Sequence, residues 1–447
     1  MAILRRKLPE SFGTEGGPDI NACPTNAGLG STHRKNAVDV FGSSRMDYVL
    51  SPLDLLARDA PEGPVAIARP HRVAAAADWF RAHFPGEVFY AVKANPSDWA
   101  LDALWQNGIK SFDVASDAEA ALIHSKFPGA NIAFMHPVKS RRAIARAFHD
   151  YGVKTFALDS EDELEKILAE TNNAKDLTLV VRFAVSGDGS AYPLAKKFGV
   201  SPEDAPALLR KTRGSSEEML GVSFHVGSQC MDPGAYRTAL DVVNRAIVKA
   251  GVVADIVDVG GGFPAIYPGM TPPPMIEFIK AIETGFEEMF IAQNAKLWAE
   301  PGRALVAEAG STVTRVELRK GDALYLNDGA FGTLFDATHL NWAFPAKLLR
   351  AEPSRARLAP FRLYGPTCDS MDAAAGPFML PADIREGDLI EIGSLGAYGT
   401  AMGTRFNGFG ETVTIESKDA PWPSLYGDAQ APVVAMPKRK RSARKAK

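Results

Sequence analysis

The feature that most constrains this chain is an eightfold alternation of short apolar runs with helix-forming segments between Gly86 and Gly302. The runs are VFYAVKA, SFDVAS, NIAFMHP, TFALDS, LTLVVRFAV, GVSFHVG, DIVDVGGG and KLWAEPG, and helical spacing fills the intervals. In LDSEDELEKIL, Ser160 is placed to cap a helix while Glu163 reaches back, a capping box. In SPEDAPALLRK, Ser201 caps and Pro202 takes the first helical position, where a missing N–H costs nothing. Eight such units over about 215 residues match a (β/α)8 barrel in number and size. The runner-up is an open doubly wound sheet, which normally carries a glycine-rich fingerprint after its first strand; YAVKANPSDW is not one. The barrel is expected over residues 64–310.

After Gly310 the period changes to two. TVTRVELRKGDALYLNDG, FRLYG, DLIEIGSLGAYG and ETVTIES alternate between Gly and Asp turns, as antiparallel strands of a β-sandwich or barrel do. This second domain is expected over 311–430, joined by 46–63, while the run PVAIARP fits either domain. Residues 1–45 lack periodicity and read as a flexible leader. The last eleven residues carry seven Lys or Arg, and 431–447 is expected to be a solvated, disordered basic tail rather than a docking tag. Without those seven charges a net charge of −3 becomes −10, so the body is no trap for nucleic acid. Cys23, Cys230 and Cys368 are far apart and odd in number, which excludes a disulfide framework or a CxxC metal site. Neither a signal peptide nor a run of ~20 apolar residues is present, and the expected compartment is the cytoplasm.

In a (β/α)8 barrel, reactive residues project from the carboxyl ends of the strands. Those ends hold Lys93, Asp113, His136, Asp159, Arg182, His225 with Ser228, Gly260–Gly262, and Glu300 with Arg303. Any one of them is more often a solvated or packing residue; the set is what carries meaning. Lys93 ends an apolar strand, whose burial would lower its amine pKa and favour attack on an aldehyde. Gly261 and Gly262 allow backbone N–H groups close to an anion, and Arg303 and Ser228 add a charge and a hydroxyl. Glu300 and Arg303 flank the Pro301–Gly302 turn and can share a cavity. A carboxylate beside a pyridinium nitrogen keeps it protonated, and His225 offers a flat face for a flat ring. Together these describe a phosphate-bearing aromatic cofactor. Beyond the barrel, YGPTCDSMD sets Cys368 beside Asp369, and LGAYGTAMGTRFNGFG presents Tyr398 as a hydroxyl donor to phosphate.

The order YAVKAN, FDVAS, HVGSQ, DVGGGFP, EPGR, GPTCDS and GAY…FNGF resembles the fold-type III pyridoxal-phosphate decarboxylases from about Pro64 to Gly410. That family includes ornithine, lysine and diaminopimelate decarboxylases on an alanine-racemase-like barrel. The resemblance implies pyridoxal 5'-phosphate held as a Schiff base on Lys93, with His225 stacked on its ring and Glu300 at its nitrogen. It implies phosphate contacts from Ser228, Gly262, Arg303 and Tyr398, with Asp113 and Arg182 framing the lysine and ring. It makes Cys368 the proton donor after carbon dioxide leaves, supplied across a homodimer interface, and Asp369 the acceptor of the substrate's distal ammonium.

Cys368-Asp369 is similar to the polyamine-forming branch, whereas diaminopimelate decarboxylases typically have Cys-Glu. Ornithine is the preferred substrate, with lysine next and diaminopimelate the alternative. Arginine ranks lower, because the biosynthetic arginine enzymes of the family are much longer. A non-catalytic homologue that binds a regulatory partner would be expected to lose part of the cofactor set, and a racemase lacks a GPTCDS-type stretch. Two departures mark the loop NDGAFGTLFDATHLNW: Phe331 stands where ornithine decarboxylases commonly carry Tyr, and the second substrate acid has no counterpart in register. Asp336 is near, and Asn341 is the candidate replacement.

Overall fold

A computed structural model describes residues 48–57, 62–194, 197–340 and 342–426, so the leader, the basic tail, Cys23 and Asn341 lie outside the described residues. All eight apolar runs form strands of one closed parallel barrel: Glu87–Ala91, Ser111–Val114, Asn131–Phe134, Thr155–Leu158, Thr178–Arg182, Leu220–Ser223, Ile256–Asp258 and Lys296–Ala299. The eighth strand closes on the first, with Trp298 opposite Glu87 and Ala299 opposite Val88. Alternate side chains point inward, where Phe89, Ala133, Ala157, Val180, Ile256 and Trp298 fill the barrel. Their neighbours, among them Tyr90, Phe112 and Phe156, pack outward under the helices.

The helices start where short polar side chains can accept orphan N–H groups. Ser116, Ser140 and Ser160 each accept from the backbone N–H three residues on. The box expected at Ser160 is only half formed, because the Glu163 carboxylate turns away to Lys139, accepting its backbone N–H at 3.1 Å and pairing with its buried ammonium at 3.0 Å. At Ser201 the hydroxyl caps a turn, accepting from Asp204 N, and the helix itself runs Ala205–Arg213 with Pro206 in its first turn.

The first helix, Pro70–His83, precedes the first barrel strand. The run before it, Val65–Ala68, falls within the span expected for the barrel but lies in the nine-stranded sheet instead. There it pairs antiparallel with Gly310–Lys320 and parallel with Val413–Ser417. Most pairs of this sheet are antiparallel, as the period of two suggests. The exceptions are Tyr48–Val49 and Val65–Ala68, each parallel to Val413–Ser417, and Ala323–Leu326, parallel to Leu358–Tyr364. Parallel neighbours require a long crossover. For Val65–Ala68 the barrel itself provides one, and for Ala323–Leu326 it is the segment holding the short helix Phe335–His339.

Arg69 joins the domains. Its side chain is fully buried, donating to Glu391 at 2.7 Å, Ser311 at 2.8 Å and Asp419 at 2.8 Å. Glu391 also accepts from Ser311 Oγ at 2.6 Å and meets Lys347 as an ion pair at 2.8 Å, outside hydrogen-bond alignment. Removing one member of a buried pair strands the other charge. Arg69→Ala should therefore destabilise the fold by about 3 kcal/mol or more, seen as a lower urea midpoint. A midpoint like that of the parent would mean the pair does not tie barrel to sheet.

Candidate active site

Lys93 lies in a single 3-10 turn, Val92–Ala94, directly after the first barrel strand. The sheet domain holds this turn: Tyr398 N–H donates to Ala94 O at 2.8 Å, and Asn95 Nδ2 donates to Gly396 O at 2.8 Å. Lys93 Nζ donates to Asp113 Oδ2 at 2.7 Å.

 On the second strand, Asp113 stands opposite Ala91, and that register sets the ion pair. The Asp113 side chain is buried, whereas that of Lys93 remains 43% exposed and opens into the cavity. Burial alone would lower the Lys93 amine, as its apolar strand suggests. The Asp113 carboxylate, with Glu300 behind it, outweighs burial and holds the amine above its ordinary range. The expectation of a neutral lysine is thus reversed: the resting group is an ammonium.

The cavity at this end of the barrel brings together Lys93, Asp113, Arg182, His225, Ser228, Gly261, Gly262, Glu300, Gly302, Arg303 and Tyr398. Its volume of about 230 Å³ suits a small molecule rather than a polymer. Gly262 has φ +101°, and a Cβ there would lie 2.5 Å from Gly227 O. A Cβ on Gly261 would sit 2.8 Å from Glu300 O and 3.1 Å from His225 Nε2. Side chains are therefore excluded where backbone meets cavity. Arg303 is buried beside this wall, its Nε 3.4 Å from Ser228 Oγ and its guanidinium 5.1 Å from the Tyr398 ring.

Burial, followed by the charges of Arg182 and Lys93, lowers His225 to about 3, so its ring is neutral at ordinary pH. Gly227 N–H donates to His225 Nδ1 at 3.0 Å and orients that ring. Burial, then Asp258 and Asp113, push the Glu300 carboxyl well above its ordinary range. Pro301 does not line the cavity; its carbonyl accepts Ala91 N–H at 3.4 Å and links the eighth strand to the first.

Cys368 and Asp369 also stand apart from this cavity. The Cys368 thiol is exposed and 3.3 Å from Asn407 Oδ1, while Asp369 Oδ1 accepts Met371 N–H at 2.8 Å. Phe331 packs against Phe406 beside them, with ring centroids 4.8 Å apart. Asp336 is committed elsewhere: its buried carboxylate accepts from Arg303 at 2.6 and 3.4 Å, and Tyr267 OH lies 2.6 Å from the same guanidinium. Among the further residues that line the cavity are His136, Lys197 and Phe198, to which the sequence reading gives no role. The last two come from the loop after the fifth strand, whose apolar Phe198 was the available signal.

Residues 71–307 match the family model described as pyridoxal-dependent decarboxylase, pyridoxal binding domain. The chain belongs to the pyridoxal-dependent decarboxylase family. It is 31% identical over 367 residues to the lysine/ornithine decarboxylase of Selenomonas ruminantium, covering 80% of this chain and 90% of that protein. It is 32% identical over 346 residues to antizyme inhibitor 2 of Xenopus laevis, covering 72% of this chain and 73% of that protein. Among solved structures, the Paramecium bursaria Chlorella virus arginine decarboxylase bound to agmatine superposes with a TM-score of 0.72 at 28% identity, over 81% of this chain and 98% of that one.

As a member of this family the chain is an amino-acid decarboxylase that uses pyridoxal phosphate. The cavity fits that cofactor on its own chemistry, with an amine for the aldehyde, a proton-holding carboxyl for the ring nitrogen, and a glycine wall with a buried arginine for the phosphate. Asp113→Asn should leave burial to act on Lys93 with less opposition. The pH midpoint for growth of the visible band on adding pyridoxal phosphate should then fall by about 1–3 units. An unchanged midpoint would show that Asp113 does not set the charge of Lys93.

Proposed function

We propose that this decarboxylase acts on a basic L-amino acid, preferring ornithine to give putrescine, with lysine to cadaverine next. The observation that supports the reading is a cavity lined by Lys93, His225, Glu300 and Arg303 together with an exposed Cys368-Asp369 turn outside its lining. Relatives named for lysine, ornithine and arginine support the basic class. The likeness to an antizyme inhibitor raises a binding role, but Lys93, His225, Glu300, Arg303 and Cys368 are all retained.

In this reading Lys93 holds the cofactor covalently, Glu300 meets its ring nitrogen, and His225 covers one face. Ser228, Gly261, Gly262, Arg303 and Tyr398 enclose the phosphate, while Asp113 and Arg182 frame the lysine and ring. Bound there, the cofactor supplies an electron-poor ring that accepts the electrons of the broken Cα–carboxylate bond. Cys368 holds a thiol proton for the carbon that carbon dioxide leaves, and Asp369 receives the substrate's distal ammonium. Both must reach a cavity other than their own subunit's, so the working unit is a homodimer. Exposed Met371, Phe406 and Phe409 near the turn provide the apolar surface for that contact. Among the described residues no helix is long and apolar enough to cross a membrane; the proposed location is the cytoplasm.

Because Asp336 is spent on Arg303, Asp369 is left to grip the substrate's ammonium. Losing a charged hydrogen bond of about 1.5–3 kcal/mol should raise KM for ornithine some tenfold to a hundredfold in Asp369→Ala. A preference for diaminopimelate, or an unmoved KM, would overturn this assignment. Mixing inactive Lys93→Ala and Cys368→Ala proteins should restore about a quarter of parental activity through hybrid dimers. No recovery under conditions that exchange subunits would place each site within one chain.

A further inference from the structure

Asp258 ends the seventh barrel strand, two residues after Ile256, which points into the barrel. The period of two therefore turns Asp258 inward as well. It is 0% exposed. Its Oδ1 accepts Gly260 N–H at 2.8 Å, while Oδ2 finds no donor among the described residues. A buried carboxylate oxygen without a donor is costly, and most such atoms in native proteins are satisfied.

The neighbour that can supply the donor is Glu300, a buried carboxyl close enough to act on Asp258 and a donor once it carries a proton. Glu300 is itself buried, and Gly260 O accepts its backbone N–H at 2.8 Å, which draws the ends of the seventh and eighth strands together. Two carboxylates side by side in a dry site cannot both ionise. The charged groups around them are Asp113, Lys93 and Arg182, with His225 neutral beside Gly261. Asp113 is already paired with Lys93, so it opposes rather than relieves a second negative charge.

We propose that in the cofactor-free site Asp258 and Glu300 share one proton, and that Asp258 is a positioning residue which holds this proton at the Glu300 carboxyl until it can pass to the ring nitrogen of the cofactor, leaving a Glu300 carboxylate beside it. This rests on the reading of Glu300 as the ring-nitrogen partner. The directions agree: burial pushes Asp258 up to about 6, and burial with Asp258 nearby pushes Glu300 higher still. The balance is simple, since one proton serves two carboxylates and no other group is consumed.

The test uses the full chain, freed of cofactor by dialysis against a carbonyl scavenger and then reloaded with pyridoxal phosphate. In the cofactor-free protein, infrared difference spectra should show a protonated carboxyl band that persists well above the ordinary carboxylate range and is absent from Glu300→Gln. Asp258→Asn keeps the acceptor for Gly260 N–H and replaces the second charge by an amide, so the midpoint of the band should fall by roughly one pH unit or more. Asp258→Ala should lower it too, without the amide donor. An unmoved midpoint in both variants, or a band that survives Glu300→Gln, overturns the shared proton. Reloading separates the two readings. Normal cofactor capture with an unmoved midpoint sinks the dyad alone. A midpoint that falls as expected, in a parent chain that captures no pyridoxal phosphate, supports the dyad and sinks the ring-nitrogen role.

Discussion

Three buried carboxylates, Asp113, Asp258 and Glu300, converge on the mouth of the barrel around one lysine ammonium. Such an excess of negative charge in a dry site is unfavourable unless cations or protons offset it. Here Lys93 pairs directly with Asp113, Arg182 lines the same cavity, and burial raises both Asp258 and Glu300, so that one proton between them offsets one of the two charges. The result is a site set up to stabilise positive charge at its floor. A cofactor that works through a protonated ring nitrogen uses that property directly.

The opposite wall has the reverse balance. Arg303 faces glycine backbone and Ser228, but Asp336 and Tyr267 occupy part of its guanidinium. Asp336 thereby orients the arginine and offsets part of its charge towards the cavity. Position there comes from geometry: the left-handed Gly262 and the sheet-domain loop that carries Tyr398 both press backbone against the cavity. The second domain is thus part of the site, since it fixes the Lys93 turn through Tyr398 N–H, which donates to Ala94 O, and Gly396 O, which accepts from Asn95 Nδ2.

Much of this was legible in the sequence, and for a physical reason. Parallel barrel strands are buried on both faces, so each reads as a continuous apolar run that ends in a polar residue. All eight are visible in that way, and most of the polar ends line the cavity; Asp159 does not, its carboxylate accepting Gly199 N–H at 2.8 Å instead. What sequence spacing does not carry is which strand lies beside which. Val65–Ala68 is too short to declare its sheet, and its partners come from more than two hundred residues downstream. The charge of Lys93 was misjudged for the same reason: its own strand is apolar, and the carboxylate that decides its protonation arrives from the neighbouring strand. Glu163 abandons its capping role for a lysine on another loop. Asp258 has a signal in the sequence, an acid two residues before the glycines, but its inward direction and its neighbour Glu300 follow only from the strand pairing.

Lys93 must be the residue that takes the cofactor, and two other lysines offer a fair contest. Lys197 lines the cavity, and Lys139 is a buried amine lowered to about 8 by burial, in the loop after the third barrel strand. Borohydride reduction of the protein loaded with pyridoxal phosphate, followed by peptide mass spectrometry, distinguishes them. The mass of a reduced phosphopyridoxyl group should appear on the peptide containing Lys93. Its appearance on Lys139 or Lys197 with Lys93 unmodified would contradict the account.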